Sequence, residues 1–188
     1  IETELIASTH NEEQIRDFLA QLTPSELDIA AERAFVALEE GDEPLAERVW
    51  RSVLEQDPTH ELAGTGLAGL LLERSDTEGA LDVLSRLAPT EAVRQLQAAA
   101  RLSTAGDPQA LALAAESGDP VAVLEHGKAL AAAGAFEQAF ESLIDLVSRR
   151  VEDTSDAARM VVLDLFELLG PEHPLTATYR RRLANALF

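Results

Sequence analysis

The sequence predicts an all-α fold, a stack of antiparallel helix hairpins, on three observations. Apolar residues recur at three- and four-residue steps along nearly the whole chain, with Ala and Leu dominant and alternating Val-, Ile- and Thr-rich stretches missing. Turn residues interrupt that pattern at short intervals. The spacing of small and large apolar residues repeats from one pair of segments to another.

The breaks fall at Gly41-Asp42, Asp57-Pro58, Ser75-Asp76, Ala88-Pro89, Gly106-Asp107-Pro108, Gly118-Asp119-Pro120, Gly134 and Gly170-Pro171. Gly tolerates the left-handed turn that ends a helix, and Pro carries no N–H for a helical hydrogen bond. These breaks predict eleven helices, near 10–22, 25–40, 43–56, 60–74, 77–87, 90–104, 107–116, 119–133, 136–149, 154–169 and 173–187. Helices of this length joined by short turns must pack as antiparallel neighbours.

The hairpins share an internal register. Ala34, Gly41, Ala46 and Trp50 follow at steps of seven, five and four; so do Ala68, Ser75, Ala80 and Leu84, and again Gly127, Gly134, Ala139 and Leu143. A small residue in each helix lets the two backbones approach, and the large residue one turn later fills the space beside them. Ala46 to Ala80 spans 34 residues, the tetratricopeptide period, so the predicted fold is a tetratricopeptide-repeat α-α superhelix. The expected units are 27–58, 61–89, a degenerate hairpin 90–118, and 120–150, followed by C-terminal capping helices over 154–188. Residues 1–24 precede these units.

Composition excludes several classes of function. The chain has 188 residues and no Cys, which removes disulfide, thiolate-metal and cysteine-nucleophile chemistry. No apolar run is long enough to span a bilayer, and Ile1-Glu2-Thr3-Glu4 lacks the features of a signal peptide, so a cytoplasmic location is expected. Net charge is -19, and the asymmetry is sharp: residues 1–148 hold 28 acids against 9 bases, residues 149–188 hold 6 of each. An acidic surface repels phosphate backbones, so neither nucleic acid nor an anionic membrane is an expected partner.

Catalytic constellations are missing. Four His are scattered, and no P-loop, dinucleotide-binding glycine set, zinc-protease or calcium-loop pattern occurs, so no enzyme activity, cofactor or metal is expected. His60 and His173 stand at turns, where exposure is the default, and His126 is expected to serve packing. Binding is the more promising reading, because a stack of this kind presents a concave face from the first helix of each hairpin. Counting from the small residue of each unit, the groove candidates are Ala31, Phe35 and Leu38, then Leu62, Thr65 and Leu72, then Val121, Leu124 and Lys128, with Asp28, Gly69 and Ala131 at equivalent positions. An apolar groove rimmed by acids suits extended or unfolded polypeptide; alternatively Phe35, Leu62 and Leu124 complete the core or meet an upstream domain. The last helix carries a second stripe, Leu175, Tyr179, Leu183 and Leu187, suited to capping the stack or to docking on a folding chaperone.

Several stretches also carry a family resemblance: Gly41 to Ala46 with Asp57-Pro58, Leu130 to Ala139, and above all Asp164 to Leu175 with Tyr179 to Ala184. These resemble the C-terminal repeat region of bacterial thioredoxin-like proteins called chaperedoxins, and Glu12 to Pro24 is similar to the helix that closes the thioredoxin-like domain and the linker after it. The resemblance implies a holdase-type co-chaperone that keeps protein clients soluble and passes them to folding chaperones.

Overall fold

A computed structural model describes residues 25–103, 105–151 and 153–187. The expected helix over 10–22 and the segment 1–24 lie outside these residues. Among the described residues there are ten helices and no strand: α1 (Glu26–Glu39), α2 (Glu43–Gln56), α3 (Glu61–Glu73), α4 (Thr77–Leu84), α5 (Glu91–Leu102), α6 (Pro108–Ala115), α7 (Pro120–Ala132), α8 (Phe136–Ser148), α9 (Thr154–Leu169) and α10 (Pro174–Leu187). The all-α hairpin superhelix read from the periodicity is what the structure shows. The helix expected over 77–87 stops at Leu84: Ser85 is its C-cap, and the chain turns over 85–87 before Ala88-Pro89, where the residue ahead of proline avoids the helical region.

Much of the acidic excess begins at helix starts. Asp42, Asp76, Asp107 and Asp119 each accept a backbone N–H from the first turn of the following helix, satisfying donors that have no helical partner. Helix ends are equally regular. At Gly41 and Gly134 the chain turns through φ +85° and +77°. The residues after them, Asp42 and Ala135, donate back to the carbonyls of Ala37 and Leu130 at 2.8 and 2.9 Å. The middle unit makes the same turn with Ser75 at φ +62°, and Asp76 donates to Leu71 at 2.8 Å. A side chain in that left-handed region costs about 1 kcal/mol that glycine escapes.

The small-and-large register packs as its spacing implies. Ala34, Ala46, Trp50, Ala68, Ala80, Leu84, Ala139 and Leu143 are all almost fully buried. The close approach is real at Gly127, where an added Cβ would stand 2.6 Å from Cδ2 of Leu143. Trp50 is fixed further by its indole N–H, which donates to the carbonyl of Ala31 at 3.2 Å, and by Phe35, whose ring meets it edge-on at 4.8 Å.

Three hairpins form between sequence neighbours: α1 with α2, α3 with α4, and α7 with α8. Within the stack α2 packs on α1 and α3, and α4 packs on α3 and α5. By that rule the partner shared by α5 and α7 should be α6, the second helix of the degenerate hairpin expected over 90–118. Instead it is α9. The short α6 buries no residue completely and leans on α7, with Leu113 77% exposed. α9 is twice as long and buries Ala158, Val162 and Leu165. Of the two helices over 154–188, α9 packs on α5, α7 and α8 and so is inserted inside the stack, and α10 covers α8.

Two ion pairs seal the inserted helix to α5. Arg101 donates from Nε at 2.9 Å and from Nη2 to the carboxylate of Asp164, which is only 9% exposed, and Arg94 Nε lies 2.9 Å from Glu167. The pairing runs antiparallel, low numbers of α5 meeting high numbers of α9. Apolar packing falls into two clusters, and α5 belongs to both, contributing Val93 to the first and Leu102 to the second. In the second cluster Phe140 of α8 stacks between Phe166 of α9, at 5.3 Å, and Tyr179 of α10, at 4.6 Å.

Replacing Ser75 by Gly is expected to raise stability by about 1 kcal/mol, read as a higher urea midpoint at unchanged slope. Arg101→Met strands the buried Asp164 carboxylate and is expected to cost about 1–3 kcal/mol. Adding Asp164→Leu to it should recover part of that loss, because no uncompensated charge is then buried.

Candidate functional site

The first helices of the hairpins form one row, α1 on α3, α3 on α5 and α5 on α7, so their faces are continuous along the stack. Along this row the nominated residues separate by burial. Ala31, Leu124 and Ala131 are buried, so these three belong to the core and not to an accessible groove. Phe35, Leu38, Leu62, Thr65, Leu72 and Lys128 are half-buried, and Val121 is 56% exposed. The Lys128 ammonium is committed to Glu125 at 2.7 Å. Of the last-helix residues, Tyr179 and Leu183 are buried in the second cluster, while Leu187 is 40% exposed.

The structure brings Leu62 and Thr65 into a depression of about 570 Å³ at the start of the row. Its floor is Leu62, Thr65 and Ala92 of α5, and its rim is acidic, with Asp28 from α1, Asp57 from the turn after α2, and Glu61 from α3. Among the described residues no Lys or Arg lines it. The local reason is helix capping. Ser25 and Asp28 form a reciprocal box at the start of α1, in which Asp28 accepts from the Ser25 N–H and hydroxyl, both at 2.8 Å. Asp57 accepts the hydroxyl and N–H of Thr59 at 2.8 and 2.9 Å, shaping the turn into α3.

His60 departs from expectation. Its side chain is only 8% exposed, wedged between α1 and α3. Nδ1 accepts the Ala63 N–H at 3.3 Å and so caps α3, while Nε2 lies 3.1 Å from Oδ1 of Asp28 but is poorly aligned for a hydrogen bond. Histidine is an unusual N-cap, so a scan for Ser, Thr, Asp and Asn misses this role; its place three residues before Ala63, directly after a proline turn, was the available signal. His173 likewise accepts the N–H of Leu175, at 3.3 Å. The acidic run Glu39 to Glu43 is absorbed by structure: Asp42 caps α2 and Glu43 pairs with Arg74 at 3.0 Å. Among the described residues no group of three or more His, Asp or Glu is placed to hold a metal ion, and no helix is long and apolar enough to cross a membrane.

The rim has a pH signature. Hydrogen bonds from the Ser25 backbone and hydroxyl hold the Asp28 carboxyl below its ordinary 3.8, and those from the Thr59 hydroxyl and backbone do the same for Asp57. A carboxyl depressed in the folded state stabilises the fold above its unfolded value, and that contribution disappears as pH falls through the folded value. Stability is therefore expected to decline on acidification below about pH 4. Asp28→Asn combined with Asp57→Asn should flatten the decline, measured as urea midpoints at a series of pH values.

Comparison with known families adds one result. A tetratricopeptide repeat family model matches residues 99–188. The match begins within α5 and runs through the half of the chain where α9 is inserted; of the three hairpins that share the register, two lie before it and the third, α7 with α8, lies within it. No curated protein matches the chain. The match, with the all-helical stack, supports a tetratricopeptide-repeat region, a class of fold that generally mediates protein–protein interaction.

Proposed function

We propose that this chain is a non-catalytic protein-interaction module, the client-binding part of a thioredoxin-like co-chaperone of the holdase type, working in the cytoplasm. The observation that supports the reading is the acid-rimmed depression in which Leu62 lies beside Asp28, Asp57 and Glu61, with Phe35, Leu38 and Leu72 half-buried on the same two helices, α1 and α3. Apolar side chains of an extended or partly unfolded polypeptide gain by covering such a surface, and its basic residues gain from the rim. Lys128, the one base on this face among the nominated positions, is already paired. Nothing there favours the carboxylate tail of a chaperone. The resemblance of Asp164 to Leu175 and of the last helix to chaperedoxins supplies the co-chaperone context.

A second reading, a scaffold that recognises one folded partner or an upstream domain of its own protein, draws on α1. Ile29 and Val36 stand seven residues apart on one face of that helix and are 39% and 53% exposed. Two large aliphatic groups on one helix face are what a docked domain would cover.

Light scattering from a heat-denaturing client separates the readings. At a stoichiometric ratio the chain is expected to suppress aggregation, and Leu62→Asp with Leu72→Asp is expected to remove at least half of that suppression. No suppression by the wild type would sink the holdase reading. Suppression that survives in the groove variant but fails in Ile29→Ser with Val36→Ser would move the binding surface to α1.

A further inference from the structure

A cleft among the last three helices is marked by arginine pairing. Seven of the described arginines, Arg51, Arg74, Arg86, Arg94, Arg101, Arg149 and Arg182, sit in ion pairs, as expected for bases so outnumbered by acids. Arg48 donates to the Pro44 carbonyl and Arg180 lies over the Phe166 ring. The guanidinium groups of Arg33, Arg150, Arg159 and Arg181 have no hydrogen-bond or ion-pair partner among the described residues. Two of these four, Arg150 and Arg159, line the same cleft.

That cleft, about 310 Å³, opens where the end of α8, the start of α9 and the end of α10 meet. Its apolar wall is Val147, Val151, Ala186 and Leu187, with Val151 39% and Leu187 40% exposed. Ser155 and Asp156 complete the lining; the Ser155 hydroxyl is spent on the Leu146 carbonyl at 3.0 Å, and Asp156 is the single acid of the lining among the described residues. None of the lining residues lies on α1, α3, α5 or α7, so the cleft is separate from the inner face.

We infer that this cleft docks a peptide segment in which a carboxylate stands next to an aliphatic side chain: the carboxylate meets Arg150 and Arg159, and the aliphatic group covers Val151 and Leu187. Two guanidiniums without internal partners, on a chain of net charge -19, form a local anion site that the rest of the surface does not offer. The apolar wall selects a peptide over a nucleic acid, since a phosphate backbone has nothing to place against Val151 and Leu187 and is repelled by the acidic remainder. The inference does not depend on the inner-face reading, and its test is separate from the scattering assay.

Fluorescence anisotropy with a labelled hexapeptide of alternating Leu and Glu tests it on the whole chain. The Leu/Glu peptide is expected to bind at least tenfold more tightly than a Leu/Lys peptide or a DNA oligonucleotide of equal charge. Arg150→Glu with Arg159→Glu should weaken it at least tenfold, and Leu187→Asp should also weaken it. Arg33→Glu with Arg181→Glu makes the same change in net charge on unpaired arginines outside the cleft, and should alter binding less than twofold. Equal loss in both double variants, equal binding of the oligonucleotide, or binding untouched by the Arg150 and Arg159 reversal would overturn the inference. Thermal melts of each variant show whether a loss reflects unfolding, and in that case Arg150→Gln with Arg159→Gln, expected to give the same selective loss, replaces the reversal. Leu62→Asp with Leu72→Asp, on the inner face, should leave binding of the Leu/Glu peptide unchanged.

Discussion

The fold depends on the contact between Arg101 and Asp164. A carboxylate removed from water is tolerated only when a cation and well-directed donors replace its hydration, and the forked guanidinium of Arg101 supplies both. The pair sits on the seam between α5 and α9, and α5 is the helix common to both apolar clusters. Holding α9 against α5 therefore ties the first two hairpins to the aromatic column of Phe166, Phe140 and Tyr179. Without that seam the molecule would be two small helical cores joined by one exposed helix.

Local signals were legible in the sequence to a high degree, because they are local. Helix ends follow from Gly, Pro and capping residues within a few positions, and the steps Ala34–Ala46–Trp50 and Ala68–Ala80–Leu84 state which faces approach closely. The partner of α5 was not legible. Arg101 and Asp164 are 63 residues apart, and nothing near either residue indicates the other. A hairpin rule assigns α6 by adjacency, although eight residues without one fully buried side chain cannot seal a helix as long as α5. The groove was half legible for a related reason. Helical spacing places Ala31 and Leu124 on the inner face, but neighbouring helices bury them, and spacing carries no information on how closely neighbours stand. His60 was misjudged because a turn position predicts exposure, while its ring fills the gap between α1 and α3.

Charge is distributed in this molecule with two different outcomes. Toward the start of the stack, carboxylates are fixed by capping bonds around an apolar floor, so the negative rim at Asp28 and Asp57 is part of the turn geometry and costs no separate scaffold. Toward the far end the bases equal the acids, and two guanidiniums remain uncommitted beside exposed aliphatic groups. A single chain thereby presents surfaces of opposite polarity on different elements.

The inserted helix also sets an order of events during synthesis. α5 leaves the ribosome with its second partner still unmade, since Asp164 is polymerised 63 residues after Arg101. At about 5–20 residues per second the wait is roughly 3–13 s. During it, the first two hairpins can close around Val93, while the far side of α5, with Ala98 and Leu102, stays open to whatever is nearby. The nascent chain must therefore pass through a half-built state in which its most connected helix is its least protected one.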